Sequence, residues 1–592
     1  MTLRPHITAR LTRLRTWLRD HEHSAYGLTL FYSVMIGLAA GLLGAFFHRL
    51  MGGFQHLFFQ TGEEGFAGLT WPLLLFIPVL GGGLQALLAA LFPDIAGRKG
   101  VVEVMKSLKQ RDGLIEPRVT IFHFIAPALN IGTGGSVGPE GPAVQFGAGV
   151  ASWLGQFFHV TPSRMKVMVA AGAGAAISAM FNAPLGGVFF TLEIILLNDL
   201  KDVTFGVLIM ASVVANVVSR TFAGSHEIFQ IPVFQVPGAR VLPWFLLLGV
   251  LGGAVSVAFS RWSGLLARLT WGRLRAWPRW VFPPLAGLIL GLTAMRLPQV
   301  LGVGYHGINQ VLAGEVPWLL ALGLMALKLL LTALNIELGG FGGIIAPSLF
   351  IGAMLGGALG QASATLGIFP DPVVFVLVGM GTVLAGINGI PLTAFLLLVE
   401  MTGNYDMVLP LMVSVTAATL MIQLLVGERS LYLYKLRRAN LLDERDPAAS
   451  LERRQASELM EVRQPVVRAA CVLGEILPAF SAHDLKDLIA VDEEGRVHGM
   501  VDFADLRFIL GQERALQIIR VAEVAGEVPR VGPETSLAGL SEAFERVAFD
   551  YLPLQDDVGR PLGIVSRASL AREVNRLVRQ RQLGGRAGWD FK

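Results

Sequence analysis

Long apolar runs alternate with short glycine- and proline-rich breaks from residue 26 to residue 427. Runs at 28–47, 74–92, 245–259, 319–334 and 373–384 contain almost no charge. Several are shorter than the ~20 residues a perpendicular membrane helix needs, so the pattern predicts tilted and half-spanning helices rather than a simple bundle. After about residue 436 the pattern changes. Residues 437–456 are charged and linker-like, and beyond them strand and helix periods alternate at ordinary soluble polarity. Residues 488–510 and 552–574 are similar and lie 64 apart, with Asp492/Asp556, Gly495/Gly559 and Gly499/Gly563 in register. Each reads as strand, tight glycine turn, strand, helix. The expected organisation is a polar N-terminal segment (1–25), an all-α polytopic membrane domain (26–436), a linker (437–456), and a paired α/β module (457–592). The module's repeats fall at about 457–520 and 521–585.

Composition supports the membrane assignment and removes other classes. Of 592 residues, 53% are hydrophobic and only 16% charged, too apolar for a soluble chain of this size. The 69 glycines allow close helix approach and supply broken-helix ends. Arg4, Arg10, Arg13, Arg15 and Arg19 precede the first apolar run, and no signal-peptide core is visible. Positive-inside bias then puts the N-terminus in the cytoplasm, and the polar tail belongs there too, as expected of a plasma- or inner-membrane protein. The single Cys471 permits no internal disulfide. With net charge +4 and no basic patch interleaved with aromatics, nucleic-acid binding has no support. Histidines and acids form no metal-ligand spacing in the membrane region, and Ser136 has no nearby base, so neither a metal centre nor an enzyme is expected. A divalent-cation transporter would need more intramembrane acids than Glu140, Glu193, Glu337 and Glu400.

The sharpest break is GSVGPEGP at 135–142, which places Glu140 in backbone that cannot continue a helix. Such a carboxylate belongs either to an ion path or to a loop just outside the bilayer. A second pattern bears on that choice. Residues 172–193 resemble 379–400, each carrying Pro-Leu and a glutamate nine residues after the proline: Pro184/Glu193 and Pro391/Glu400, 207 apart. Pro142 and Pro347 lie 205 apart, each ending a glycine-rich segment. Broken segments at matching positions of two halves point to a site at the membrane midplane. Helix N-termini converging there, each with about half a positive charge and free N–H groups, would favour an anion.

These residues resemble the CLC family of chloride channels and proton-coupled chloride exchangers that carry a C-terminal CBS pair. Gly138, Glu140, Gly141 and Pro142 look like its GREGP motif, Gly343 and Pro347 like its GxFxP motif, and NAPL (182–185) and PLTAFLLLVEMTGNY (391–405) follow in order. The resemblance implies a homodimer in the lipid bilayer, with one chloride path per subunit, inverted repeats and both termini cytoplasmic. It implies that Glu140 is a gate that competes with the anion and responds to protons. It also implies that the amides of Ile344 and Ile345, with the Tyr432 hydroxyl, form the central anion site.

Three departures qualify the expectation. Lys99 stands where the family has an anion-binding serine, so it joins the anion-site residues; a full charge about 4 Å from an anion is worth roughly 4 kcal/mol at an effective dielectric of 20. It could alternatively snorkel or pair with Glu140. Ile194 occupies the internal proton-relay position and cannot carry a proton, which favours channel-like or weakly proton-coupled transport over proton–chloride antiport. In the CBS pair, Asp505 and Ser566 each keep one feature of an adenine-nucleotide site, so the tail is either a nucleotide sensor or a structural module.

Overall fold

In a computed structural model the described residues are 25–584, apart from 60–68, 198–204, 225–228, 235–240, 275–276, 368–370, 427–450, 453, 463–464, 484–485, 507–508 and 510–511. The chain divides into two compact units, Met1–Ala439 and Asn440–Lys592. The expected linker at 437–456 thus straddles the division, and most of it lies outside the described residues.

The principal helices of the first unit are α1 (Ala25–Phe59), α2 (Trp71–Leu91), α3 (Gly100–Gln110), α4 (Pro117–Gly132), α5 (Glu140–Phe158), α6 (Pro162–Phe181), α7 (Pro184–Phe190) and α8 (Phe205–Ala223). They continue as α9 (Leu242–Arg268), α10 (Phe282–Ala294), α11 (Tyr305–Leu312), α12 (Trp318–Glu337), α13 (Ile345–Thr365), α14 (Val373–Asn388), α15 (Pro391–Thr402) and α16 (Val408–Val426). Among the described residues eight helices are long and apolar enough to cross a membrane, and shorter apolar helices stand between them. Exposed Phe76, Leu319 and Leu424 give the unit an apolar outer face, as lipid contact requires.

The two halves repeat contact by contact. Helices α5 and α6 cross where a Cβ on Gly147 would lie 2.2 Å from the Gly172 carbonyl oxygen. Helices α13 and α14 cross in the same way, with Gly352 at 2.2 Å from the Gly379 carbonyl oxygen. Only glycine permits approach this close. Helix α6 stops at Asn182 (φ 55°), and α14 stops 207 residues later at Gly389 (φ 69°), both left-handed. Each stop feeds a helix that starts with proline, Pro184 or Pro391, where a missing N–H costs nothing.

Those two helices cap each other. Glu193 accepts hydrogen bonds from the amides of Leu392 (2.9 Å) and Thr393 (2.8 Å), and from the Thr393 hydroxyl (2.6 Å). Glu400 accepts from the amides of Leu185 (2.9 Å) and Gly186 (2.8 Å). Each carboxylate therefore supplies the acceptors that the first turn of the other half's helix needs.

In the second unit, β1 (Val466–Arg468) runs parallel to β2 (Asp487–Val491), which pairs antiparallel with β3 (Val497–Asp502). Strands β4 (Tyr551–Gln555) and β5 (Pro561–Ser566) repeat the hairpin, and α17 (Arg567–Gly584) follows. The two cores cut across the boundary expected at 520/521. Ala456, Leu459 and Met460 pack with Leu552, Leu554 and Val565, while Val521 and Val524 pack with Leu488 and Val501. Glu461 bridges to Ile564, and Gly526 bridges to Met500. The repeats thus exchange their leading segments, because the 64-residue offset fixes strand register but not which hairpin the preceding segment joins.

Asp487 sits on the seam, 2% exposed, and accepts the Asp550 amide at 2.9 Å. Burial, with the carboxylates of Asp502 and Asp550 nearby, pushes its carboxyl up to about 6, from an ordinary 3.8. The folded state therefore holds this proton more tightly than the unfolded chain, and the contribution of this group to stability is fully present at low pH and is lost as pH rises between about 4 and about 6. Protection of the Asp550 amide in hydrogen exchange, corrected for intrinsic rate, should weaken from pH 4.5 to 7, and Asp487→Asn should flatten the trend. For the reciprocal caps, Glu193→Ala or Glu400→Ala should each cost about 1–3 kcal/mol, the scale of hydrogen bonds to a charged group. Thermal unfolding in detergent checks this; unchanged midpoints would show that the caps are ornamental.

Candidate functional site

The segments 135–140 and 340–345 meet back to back. The Gly138 amide donates to the Gly343 carbonyl (2.9 Å), and the Gly343 amide returns the bond to Gly138 (2.6 Å). This single antiparallel bridge brings the first turns of α5 and α13 together. Behind it, Asn130 donates to the Asn335 side chain (3.2 Å) and to the Phe341 carbonyl (2.8 Å). The Gly135 amide bonds the Asn130 carbonyl and the Gly340 amide bonds the Asn335 carbonyl, both at 2.8 Å. A Cβ on Gly135 or Gly340 would strike the facing asparagine oxygen, at 2.3 and 1.9 Å. Asn130 and Asn335 also lie 205 apart, so the offset seen at the prolines could have found them.

Glu140 is the first helical residue of α5 and is fully buried. Its Oε1 accepts the Ala346 amide at 2.6 Å, and the Ile345 amide and its own amide lie beside the carboxylate. The acid of one repeat thus fills the N-terminus of the other repeat's helix, where free N–H groups and the helix dipole favour negative charge. Glycine is obligatory around it. A Cβ on Gly138 would lie 2.1 Å from Glu140 Oε2, and one on Gly343 2.6 Å from the same atom. Gly141 approaches the Gly343 backbone, and Pro142 and Pro347 sit fully buried in the two first turns.

The amides engaged by the carboxylate are those of Ile345 and Ala346, one step beyond the Ile344–Ile345 pair the resemblance suggested. Ile344 is the N-cap, and its carbonyl is taken by Ser348 through both amide (3.0 Å) and hydroxyl (2.6 Å). Tyr432 lies outside the described residues.

Lys99 takes neither an exposed position nor the Glu140 carboxylate. It is the N-cap of α3, and its ammonium donates to the carbonyls of Gly339 (3.0 Å) and Gly340 (3.2 Å) and lies 4.4 Å from the Phe341 ring centroid. The favourable cation–π contact and the two carbonyls bind the start of α3 to the segment that leads into Gly343. Gln145 of α5 holds the same start from the other side, accepting the Gly100 amide (2.6 Å) and donating to the Arg98 carbonyl (2.7 Å). Arg98 pairs with Glu103 and Glu116 at 2.9 and 2.8 Å. Three helix starts, α3, α5 and α13, therefore converge on one point.

Ile194 is 1% exposed, in a π-helical turn after α7, next to the half-buried Glu193 that caps α15. In the second unit Ser566 is buried and its hydroxyl accepts the Ser569 amide at 3.0 Å, capping α17. Asp505 lies in the short helix Phe503–Leu506 after β3. Among the described residues no group of His, Cys, Asp and Glu could hold a metal ion.

A family model described as voltage gated chloride channel matches residues 81–423. The chain is 33% identical over 434 residues to chloride channel protein CLC-f of Arabidopsis thaliana, covering 66% of this chain and 53% of that one. It is 30% identical over 442 residues to the H(+)/Cl(-) exchange transporter ClcA of Klebsiella pneumoniae, covering 72% and 91%. The chain spans about half the length of the two Arabidopsis relatives it matches, 53% and 52%. Among solved structures, a slow cyanobacterial Cl−/H+ antiporter superposes with TM-score 0.63 at 26% identity, over 70% of this chain and 98% of that one. A eukaryotic CLC transporter shares the fold at TM-score 0.58 and 19% identity, over 92% and 98%.

Proposed function

The chain belongs to the voltage-gated chloride channel family and is an integral multi-pass membrane protein, and on that premise we propose that it conducts chloride or a similar anion past a glutamate gate. One observation carries the reading: the Glu140 carboxylate lies on the Ile345 and Ala346 amides, in the place an anion would take. An ionised Glu140 competes with the anion for those amides. A proton on the carboxyl, or its swing out of the turn, frees them. Neutral amides suit the task, because conduction needs binding strong enough to admit the ion and weak enough to release it. Tyr432 is proposed as a phenolic donor of the central anion site, and Lys99 as a fixed positive charge near the same helix starts.

The apolar, buried Ile194 supports channel-like or weakly proton-coupled transport, since an isoleucine cannot relay a proton inward from Glu140. A second reading, proton–chloride exchange, draws on the names of the Klebsiella relative and the cyanobacterial structure. The second unit is read as a CBS pair and the assembly as a homodimer with both termini cytoplasmic. With the Ser566 hydroxyl already engaged by Ser569, a structural role for the pair is favoured over binding of adenine nucleotide through Asp505 and Ser566.

Liposomes decide between the two transport readings. Reconstituted protein should release chloride faster as pH falls, while proton counter-flux stays far below a fixed ratio to chloride. Glu140→Gln should make chloride flux independent of pH. Stoichiometric proton counter-transport would overturn the channel-like reading, and no anion flux at all would overturn the function. Lys99→Ser removes the charge and the tether to Gly339 and Gly340, and should alter the chloride-to-nitrate flux ratio or move the pH of half-maximal flux. If both stay put, Lys99 has no part in transport.

A further inference from the structure

Among the described residues, Glu140 Oε2 and the hydroxyl of Tyr305 are buried polar atoms that lack a hydrogen-bond partner. Tyr305 is the first residue of α11 and stands within electrostatic reach of the Glu140 carboxylate. The two are not hydrogen-bonded to each other. A buried hydroxyl left without a partner costs free energy, and in a folded protein it calls for a specific explanation.

The surroundings hold this hydroxyl in place. The Gly302 amide donates to the Gly134 carbonyl at 2.9 Å, tying the segment before Tyr305 to the segment before Glu140. Lys328, fully buried on α12, donates to the carbonyls of Val300 (2.9 Å) and Gly302 (2.7 Å). One helical turn on, at 332, the hydroxyl of Thr332 bonds Ser136 at 3.1 Å. A single face of α12 therefore grips both segments. The Tyr305 ring packs edge-on against Phe229, with centroids 5.5 Å apart. Gly304 adopts φ 98°, and a Cβ there would lie 2.7 Å from the Phe350 ring. These contacts fix the ring and leave its O–H uncommitted, within electrostatic reach of the carboxylate.

We propose that the Tyr305 hydroxyl is an anion ligand, donating its hydrogen bond to the halide that takes the place of the Glu140 carboxylate once that carboxylate is neutral or displaced. A phenolic donor is neutral, so it adds coordination without the trapping strength of a full charge. The assignment rests on the reading of Glu140 as a gate. It adds a second tyrosine, the first residue of α11, to the donors that reading already uses.

The test is chloride titration calorimetry on the purified full-length protein, comparing Glu140→Gln with Glu140→Gln/Tyr305→Phe. Phenylalanine keeps the ring and its packing on Phe229. Loss of one hydrogen bond to a charged partner should weaken chloride binding by about ten-fold or more. Equal affinity in the two proteins would overturn the inference while leaving the gate intact. No chloride binding to Glu140→Gln itself would overturn the gate and the inference together. Should the double variant fail to fold, bromide anomalous scattering from Glu140→Gln decides: a peak within hydrogen-bond distance of the Tyr305 hydroxyl is expected, and a bound bromide out of its reach would rule the ligand out.

Discussion

The exchange of two hydrogen bonds between Gly138 and Gly343 is the contact on which the site depends. It pins the N-terminus of one repeat's helix against that of the other, and so delivers the Glu140 carboxylate to amides 205 and 206 residues away. Neither residue can carry a side chain, because each Cβ would enter the carboxylate. The glycines and the acid are therefore one device: the backbone pair sets the approach, and the acid occupies the space the glycines leave. Prolines 142 and 347 follow because the helices must begin at this point, where a proline in the first turn sacrifices no hydrogen bond.

Repetition extends this device outward. The same offset relates Asn130 to Asn335 behind the bridge, and a nearly equal one relates Glu193 to Glu400 at the capped pair. In each case a residue from one half satisfies backbone or side-chain groups of the other. Broken helices inside an apolar unit are costly because water cannot satisfy their ends, and the repeat removes that cost by letting the halves serve as each other's caps. The C-terminal unit uses a related solution, in which each repeat lends its leading segment to the other's hairpin.

The motifs and their spacing were legible in the chain because glycine, proline and a lone acid in apolar surroundings are local signals. Glu140, the two glycine-rich turns and the Glu193/Glu400 pair could be named from them. What the chain could not show was direction. Lys99 reads as a charge facing an anion, yet its ammonium goes to the carbonyls of Gly339 and Gly340, 240 and 241 residues on. The one-residue step from the Ile344–Ile345 pair to the Ile345–Ala346 pair depends on where the α13 turn closes, which Ser348 decides by taking the Ile344 carbonyl. Tyr305 and Lys328 carry no motif at all. Their place follows from tertiary contacts among Gly134, Gly302 and α12, which no local pattern encodes.

The central claim is competition: an ionised Glu140 and an anion want the same amides. Equilibrium chloride binding at pH 7.5, measured on the parent protein and on Glu140→Ala in the same detergent, tests it most directly. The account predicts one more chloride bound per chain in the variant, because removing the carboxylate frees the Ile345 and Ala346 amides. Equal stoichiometry in the two proteins would contradict it.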